Sequence, residues 1–91
     1  MAKHEITVLY NELVKSEFGF LKNNTHHIDD IYIEVKTNYI NLCDDGYFCS
    51  TNCSRGHNQP EWKHAVRRAL ERLKSKNSRV CKGEKNHWIF K

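Results

Sequence analysis

The 91-residue chain contains one proline, four glycines and no long run of apolar residues. Its apolar stretches fall well short of the roughly 18 residues that a membrane span needs, and its first residues lack the apolar stretch of a secretory signal. We therefore expect an intracellular protein without membrane contact. With 38% hydrophobic and 29% charged residues, the composition is typical of a soluble globule, which excludes disordered and fibrous architectures. A chain of this length supports one hydrophobic core, so we expect a single monomeric domain, alone or attached to further domains.

Charge is distributed unevenly between the two parts of the chain. Residues 1–54 carry four basic and eight acidic side chains, a net charge of −4. Residues 55–91 carry eleven basic and three acidic side chains, a net charge of +8. This asymmetry indicates a surface for a polyanion in the C-terminal part, and a solvated basic face without a partner is the alternative.

The spacing of apolar residues predicts two helices in the first half. Helix 1 is expected at about 4–17 from the stripe Ile6, Leu9, Tyr10, Leu13 and Val14, and Gly19 is expected to end it. Helix 2 is expected at about 29–40, with Asp29 as its cap. Alternation of Ile31, Ile33 and Val35 also fits a strand, but the segment is longer than a typical strand. Ile28 with its flanking histidines is left open as a very short strand.

A third helix and a hairpin are predicted in the basic half, after a long connection at 41–58. Asn58, Pro60 and Glu61 form a strong start signal for helix 3 at about 59–76, in which Asn58 caps and Glu61 closes a capping box. The inward face of this helix is expected to contain Trp62, Ala65, Val66, Ala69, Leu70 and Leu73. Residues 78–91 are typical of a β-hairpin with a basic tip. The expected class is therefore α+β, a three-helix bundle with a C-terminal hairpin.

This order of elements resembles the winged-helix superfamily of DNA-binding domains. The stretches 31–39, 62–70 and 82–90 are similar to the forkhead pattern, and 67–90 is similar to the N-terminal domain of Mrr-type restriction proteins. Arg67 stands where forkheads have an arginine, while His64 and Arg68 replace an asparagine and a histidine, so the forkhead base preference is not implied. The resemblance implies a third helix in the major groove of double-stranded DNA and a wing on the backbone, in the nucleus or nucleoid.

The residues expected to contact DNA lie on helix 3 and the hairpin: Lys63, His64, Arg67, Arg68, Glu71, Lys74, Lys82, Lys85 and Asn86. Lysines neutralise phosphates, Arg67 can donate two hydrogen bonds to guanine, and Glu71 can accept from a cytosine amino group. For Glu71, an ion pair with Arg67 or Lys74 within the helix is the alternative. Trp62 and Trp88 face inward and are expected in the core rather than on a base.

Four potential metal ligands fall within fifteen residues: Cys43, Cys49, Cys53 and His57. They fit a zinc site that braces the connection, but the usual paired Cys-x-x-Cys motif is missing. A disulfide from Cys49 to Cys53 or Cys81 and free thiols are alternatives, and free thiols with no bound metal are the expectation. The sequence contains neither a Gly-rich phosphate loop nor a nucleophile elbow, so we expect no enzymatic activity and no cofactor. A protein-docking module, zinc-braced or not, is the rival function.

Overall fold

The computed structural model describes residues 2–46, 60–76 and 79–91, with side chains from Glu5 onward. In this part of the chain the elements are α1 (Ala2–Ser16), β1 (Thr25–His27), α2 (Ile28–Asn38), one 3-10 turn (Ile40–Leu42), α3 (Glu61–Ser75), β2 (Val80–Lys82) and β3 (His87–Phe90). The strands form an antiparallel sheet in the order β1-β3-β2. The predicted α+β class is confirmed. None of the described helices has the length and apolar content needed to cross a membrane.

Helix α1 ends at Ser16, one residue before the predicted end, and the residues that reverse the chain precede the predicted Gly19. Glu17 and Phe18 adopt left-handed backbone conformations, with φ of 54° and 55°, directly after the last helical residue. Gly19 follows, and its amide donates to the carbonyl of Ser16 at 3.0 Å. A Cβ on Gly19 would lie 3.1 Å from that carbonyl oxygen. A side chain at position 19 would therefore make a tight contact with this carbonyl, while two residues that do have side chains, Glu17 and Phe18, reverse the chain.

Helix α2 starts one residue before the predicted position. Its buried residues Ile28, Ile31, Tyr32 and Val35 follow a helical stripe, and Ile33 is 61% exposed. The strand alternative is therefore wrong. The cap also differs from the expectation, because Nδ1 of His27 accepts the amide hydrogen of Asp29 at 3.1 Å. Asp29 itself lies in the first turn, where its negative charge complements the helix dipole.

Helix α3 has the most strongly amphipathic sequence among the described helices. All six residues predicted for its inward face are at most 2% exposed. The helix begins at Glu61, and Pro60 occupies the cap position rather than the first turn, its carbonyl accepting from the Lys63 amide at 3.1 Å. Asn58, the predicted cap, lies outside the described residues, as does most of the predicted connection.

The sheet joins the hairpin to the chain segment before α2. Thr25 pairs with Ile89, and His27 pairs with His87. The pairing continues at both ends, because the Phe90 amide donates to Asn24 and the Ile28 amide donates to Asn86. A short strand therefore exists next to Ile28, at Thr25–His27, while Ile28 itself begins α2. This strand extends the predicted hairpin to a three-stranded sheet.

The hydrophobic core lies between α1, α3 and one face of the sheet. Phe18 and Phe90 are both nearly inaccessible and pack edge to face with their ring centroids 5.7 Å apart. Trp88 is 4% exposed and Trp62 2% exposed, as expected for core residues. Burial of these large rings supplies much of the driving force that holds the sheet against the helices.

Arg79 ties the start of the hairpin to the turn after α1. Its guanidinium donates to the carbonyls of Glu17, Phe18 and Leu21 at 3.0–3.3 Å and to the side-chain oxygen of Asn23 at 2.6 Å. The same guanidinium lies 5.4 Å from the ring centroid of Phe90. This arrangement satisfies carbonyls that the left-handed turn leaves without helical partners.

We expect Arg79→Lys to lower the free energy of unfolding by about 2 kcal/mol, because a lysine ammonium cannot reproduce the planar fork of donors. The measurement is the urea midpoint of the purified chain. Arg72→Lys, at an exposed position of α3, is the matched control and should change stability by less than about 0.5 kcal/mol. Equal effects of the two substitutions would contradict the role assigned to Arg79.

Candidate nucleic-acid interface

A cleft of about 200 Å³ lies where the start of α2, the middle of α3 and the hairpin meet. Four of the predicted contact residues line this α2–α3 cleft: Arg67, Glu71, Lys82 and Asn86. Arg67 and Glu71 are one helical turn apart on α3, so their side chains share a face. The turn between β2 and β3 supplies Asn86, and the end of β2 supplies Lys82. The fold therefore brings residues from two separate predicted contact segments to one place.

Arg67 is held in the α2–α3 cleft by α2. Its Nη1 donates to the hydroxyl of Tyr32 at 2.8 Å. Tyr32 is itself nearly buried, at 8% exposure, and its ring packs edge to face against Trp62 with centroids 5.8 Å apart. A guanidinium restrained in this way loses less conformational entropy when it binds a ligand.

The hairpin side of the cleft is restrained by aromatic and backbone contacts. Nζ of Lys82 lies 4.6 Å from the ring centroid of the buried Trp88, a cation–π distance. Asn86 adopts φ of 63°, a left-handed conformation that asparagine tolerates well. Its carbonyl accepts from the Ile28 amide at 2.7 Å, which fixes the hairpin turn against the start of α2.

Two further predicted residues lie on the surface beside this cleft. Lys74 pairs with Glu71 at 3.3 Å, and both side chains remain about half exposed. The intrahelical alternative considered for Glu71 is therefore present in the structure. Lys85 is exposed in the hairpin turn, as expected for a basic tip. Exposed ion pairs of this kind contribute little to stability, so both charges can reorganise when a ligand binds.

Lys63 faces a neighbouring groove rather than the cleft. Its Nζ lies 5.0 Å from the ring centroid of Tyr32 and 5.8 Å from that of Trp62. Asp45 lines the same groove and accepts hydrogen bonds from Lys36 and from the Trp62 indole. These two hydrogen bonds lower the pKa of Asp45, so its carboxylate stays charged and tethers the segment after the 3-10 turn to α3.

His64 and Arg68 do not lie on the exposed contact face that the helical wheel predicted. The side chain of His64 is only 13% exposed, and its Nδ1 lies 3.5 Å from Oε2 of Glu61. Its Nε2 is buried and has no hydrogen-bond partner within the described residues. Burial, followed by the nearby positive charge of Arg67, lowers the pKa of His64. Arg68 is exposed but lies over the ring of Tyr10, 5.6 Å from its centroid, on the side of α1.

The cleft is also lined by five residues that were not predicted to contact DNA: His27, Ile28, Asp29, Tyr32 and Trp88. His27 is the last residue of β1, and Ile28, Asp29 and Tyr32 lie in the first two turns of α2. The feature of the sequence that could have indicated a site here is the group of polar residues His26, His27, Asp29 and Asp30. Only the pairing of β1 with β3 brings this group beside the hairpin.

Cysteines in the described part of the chain give no metal cluster. Cys43 is buried, and burial raises the pKa of its thiol to about 12, with the charge of Asp45 adding to the shift. At neutral pH such a thiol stays protonated. Within the described residues no three histidine, cysteine or carboxylate side chains are arranged to hold a metal. Cys49, Cys53 and His57 lie outside these residues, and Cys81 is a free, half-buried thiol.

Comparisons with known proteins provide no relative for this chain. No family model matches it, and no match was found among curated proteins or solved structures. The functional argument therefore rests on the geometry described above.

The lowered pKa of His64 predicts a dependence of stability on pH. Below the unfolded-state pKa of about 6.5, the unfolded chain binds a proton at this position more readily than the folded chain does. Stability contributed by the neutral ring is therefore present above that pH and is lost on acidification. We expect His64→Gln to reduce the difference in unfolding free energy between pH 7.5 and pH 5.5. His26→Gln is the control, and an unchanged difference in the His64 variant would contradict the prediction.

Proposed function

We propose that this chain is a double-stranded DNA-binding module of winged-helix type, with α3 in the major groove and the hairpin as a wing on the backbone. The observation that carries this proposal is the convergence of Arg67 and Glu71 from α3 with Lys82 and Asn86 from the hairpin. The layout of three helices with a β1-β3-β2 sheet is compatible with such a fold. The excess of basic residues after position 54 supplies the attraction to a polyanion.

Two kinds of contact follow from the positions of these side chains. Lys74, Lys82 and Lys85 are exposed and can neutralise phosphates, which gives affinity without sequence preference. Arg67, held by Tyr32, is the residue expected to meet a base edge, with guanine as its preferred partner. Such a module serves as a small regulator or as the targeting domain of a larger DNA-acting protein, in the nucleus or nucleoid.

Binding to DNA should depend steeply on salt. Five cations of α3 and the hairpin are available for phosphates: Lys63, Arg67, Lys74, Lys82 and Lys85. If all five neutralise phosphates, the logarithm of the binding constant should fall with the logarithm of salt concentration at a slope of about −4.5. Fluorescence anisotropy with a random-sequence duplex pool at several salt concentrations measures this slope, and sequencing of the bound fraction reports selectivity. Absence of binding at low salt would overturn the proposal.

Two alanine substitutions should separate base contacts from backbone contacts. We expect Arg67→Ala to weaken binding to a selected sequence by about 1–3 kcal/mol and to relax selectivity at one base pair. Lys85→Ala should weaken binding to all sequences alike and make the salt slope shallower by about one. Both variants are compared by anisotropy on the selected and a scrambled duplex. Equal losses on the two duplexes for both variants would contradict base recognition by α3.

A protein-docking function is the second candidate. Ile33 is 61% exposed and lines the groove that also contains Pro60 and Trp62. An exposed apolar side chain beside a groove is a feature of protein-binding surfaces. A docking module would show no counterion-release slope with DNA, so the salt titration distinguishes the two functions.

A further inference from the structure

The shape of the α2–α3 cleft restricts what it can receive from DNA. A helix that reads the major groove protrudes into it, and the base edges there are reached by side chains that extend outward. A concave site on the same protein face instead accepts a group that projects from the duplex. The groups that project are the sugar-phosphate backbone and a base that has left the stack.

The charges of the cleft favour a base over a phosphate. Arg67 and Lys82 bring positive charge to it, but Asp29 and Glu71 bring two carboxylates. The Asp29 side chain is 75% exposed and the Glu71 side chain 57% exposed, and two carboxylates at one site oppose the binding of a phosphate. A neutral group that has both donors and acceptors fits this lining better, because its donors can bind the carboxylates and its acceptors can bind the cations.

The volume of the cleft is consistent with a ligand of this kind. Sites for drug-sized ligands measure about 300–1,000 Å³. At about 200 Å³, this cleft suits a smaller group of one or two fused rings. Tyr32 and Trp88 contribute aromatic surface to its wall, and Lys82 lies over the Trp88 ring.

We propose that the α2–α3 cleft holds one unstacked nucleobase of the bound DNA, so that the protein prefers duplexes with an unpaired base. This inference rests on the proposed function and specifies it further, because the guanine edge that Arg67 meets then belongs to a base that has left the stack. Guanine fits best, because its N1–H and N2–H groups lie side by side for one carboxylate while O6 and N7 accept from a guanidinium or an ammonium. Asp29 and Arg67 are the residues assigned to these two edges.

The test compares two duplexes that differ by one nucleotide. One is fully paired, and the other has the same sequence with a single unpaired guanine bulge at its centre. Anisotropy with the full chain at constant salt should show tighter binding to the bulged duplex by about tenfold, the discrimination expected for one well-paired base contact. Moving an unpaired guanine out of the base stack costs little free energy. The difference in affinity between the two duplexes therefore reports binding in the cleft rather than the cost of flipping a base.

Adjacent aspartates of α2 provide a matched pair of variants. Asp29 lines the cleft, whereas Asp30 lines a different pocket beside Phe20 and Leu21. Both are exposed first-turn residues, so Asp29→Ala and Asp30→Ala remove the same charge from the same end of the helix. Each substitution should raise affinity for the fully paired duplex through reduced repulsion of its phosphates. Only Asp29→Ala should reduce the ratio between bulged and paired duplexes, to less than about threefold.

The possible results separate this inference from the proposed function. Equal binding to the two duplexes with a steep salt slope overturns the base site and leaves DNA binding standing. Absence of binding to either duplex overturns both. Guanosine added at millimolar concentration tests a free nucleoside as the ligand. Chemical-shift changes of the Trp88 indole with guanosine, without preference for the bulged duplex, would assign the cleft to a soluble nucleoside and overturn its assignment to DNA.

Discussion

The position of the hairpin depends on the guanidinium of Arg79. This one side chain joins residues about 60 positions apart, because it reaches from the start of β2 to the carbonyls of the turn after α1. The turn is otherwise costly, since Glu17 and Phe18 adopt left-handed conformations there. Burial of the Phe18 ring against Phe90 and hydrogen bonds from Arg79 together offset that cost. Without this connection the start of β2 would lose its hydrogen bonds to the turn after α1, and the pairing of β3 with β1 would have to hold the hairpin by itself at that end.

Local periodicity predicted the helices well because their stability comes from burying one stripe. The inward face of α3 was predicted residue by residue, and Ile33 decided between helix and strand for α2. The turn after α1 was not predictable in the same way. A glycine at position 19 is a strong local signal, but the conformation depends on Arg79, whose partners are distant in sequence. Sequence patterns carry no direct record of such long-range hydrogen bonds.

Part of the candidate site was accessible from the sequence for a related reason. Arg67 and Glu71 lie on the exposed side of a regular helix, and Lys82 and Asn86 flank a recognisable turn. The position of His64 was predicted incorrectly because its burial depends on how α3 is rotated against its neighbours. A helical wheel gives the angles between residues on one helix, but it does not show which neighbouring elements cover each side of that helix. Asp29, His27 and Tyr32 were missed because their relation to α3 is purely tertiary.

The hydrogen bond between Tyr32 and Arg67 has a consequence for protein engineering. A surface helix is often treated as a portable unit that can be transplanted between scaffolds. Here the orientation of the central arginine is set by a tyrosine on another helix, and that tyrosine is set by Trp62. A graft of α3 alone would carry the arginine without its restraint. The smallest transferable unit is therefore the pair of α2 and α3, and a substitution at position 32 is expected to change the orientation of Arg67.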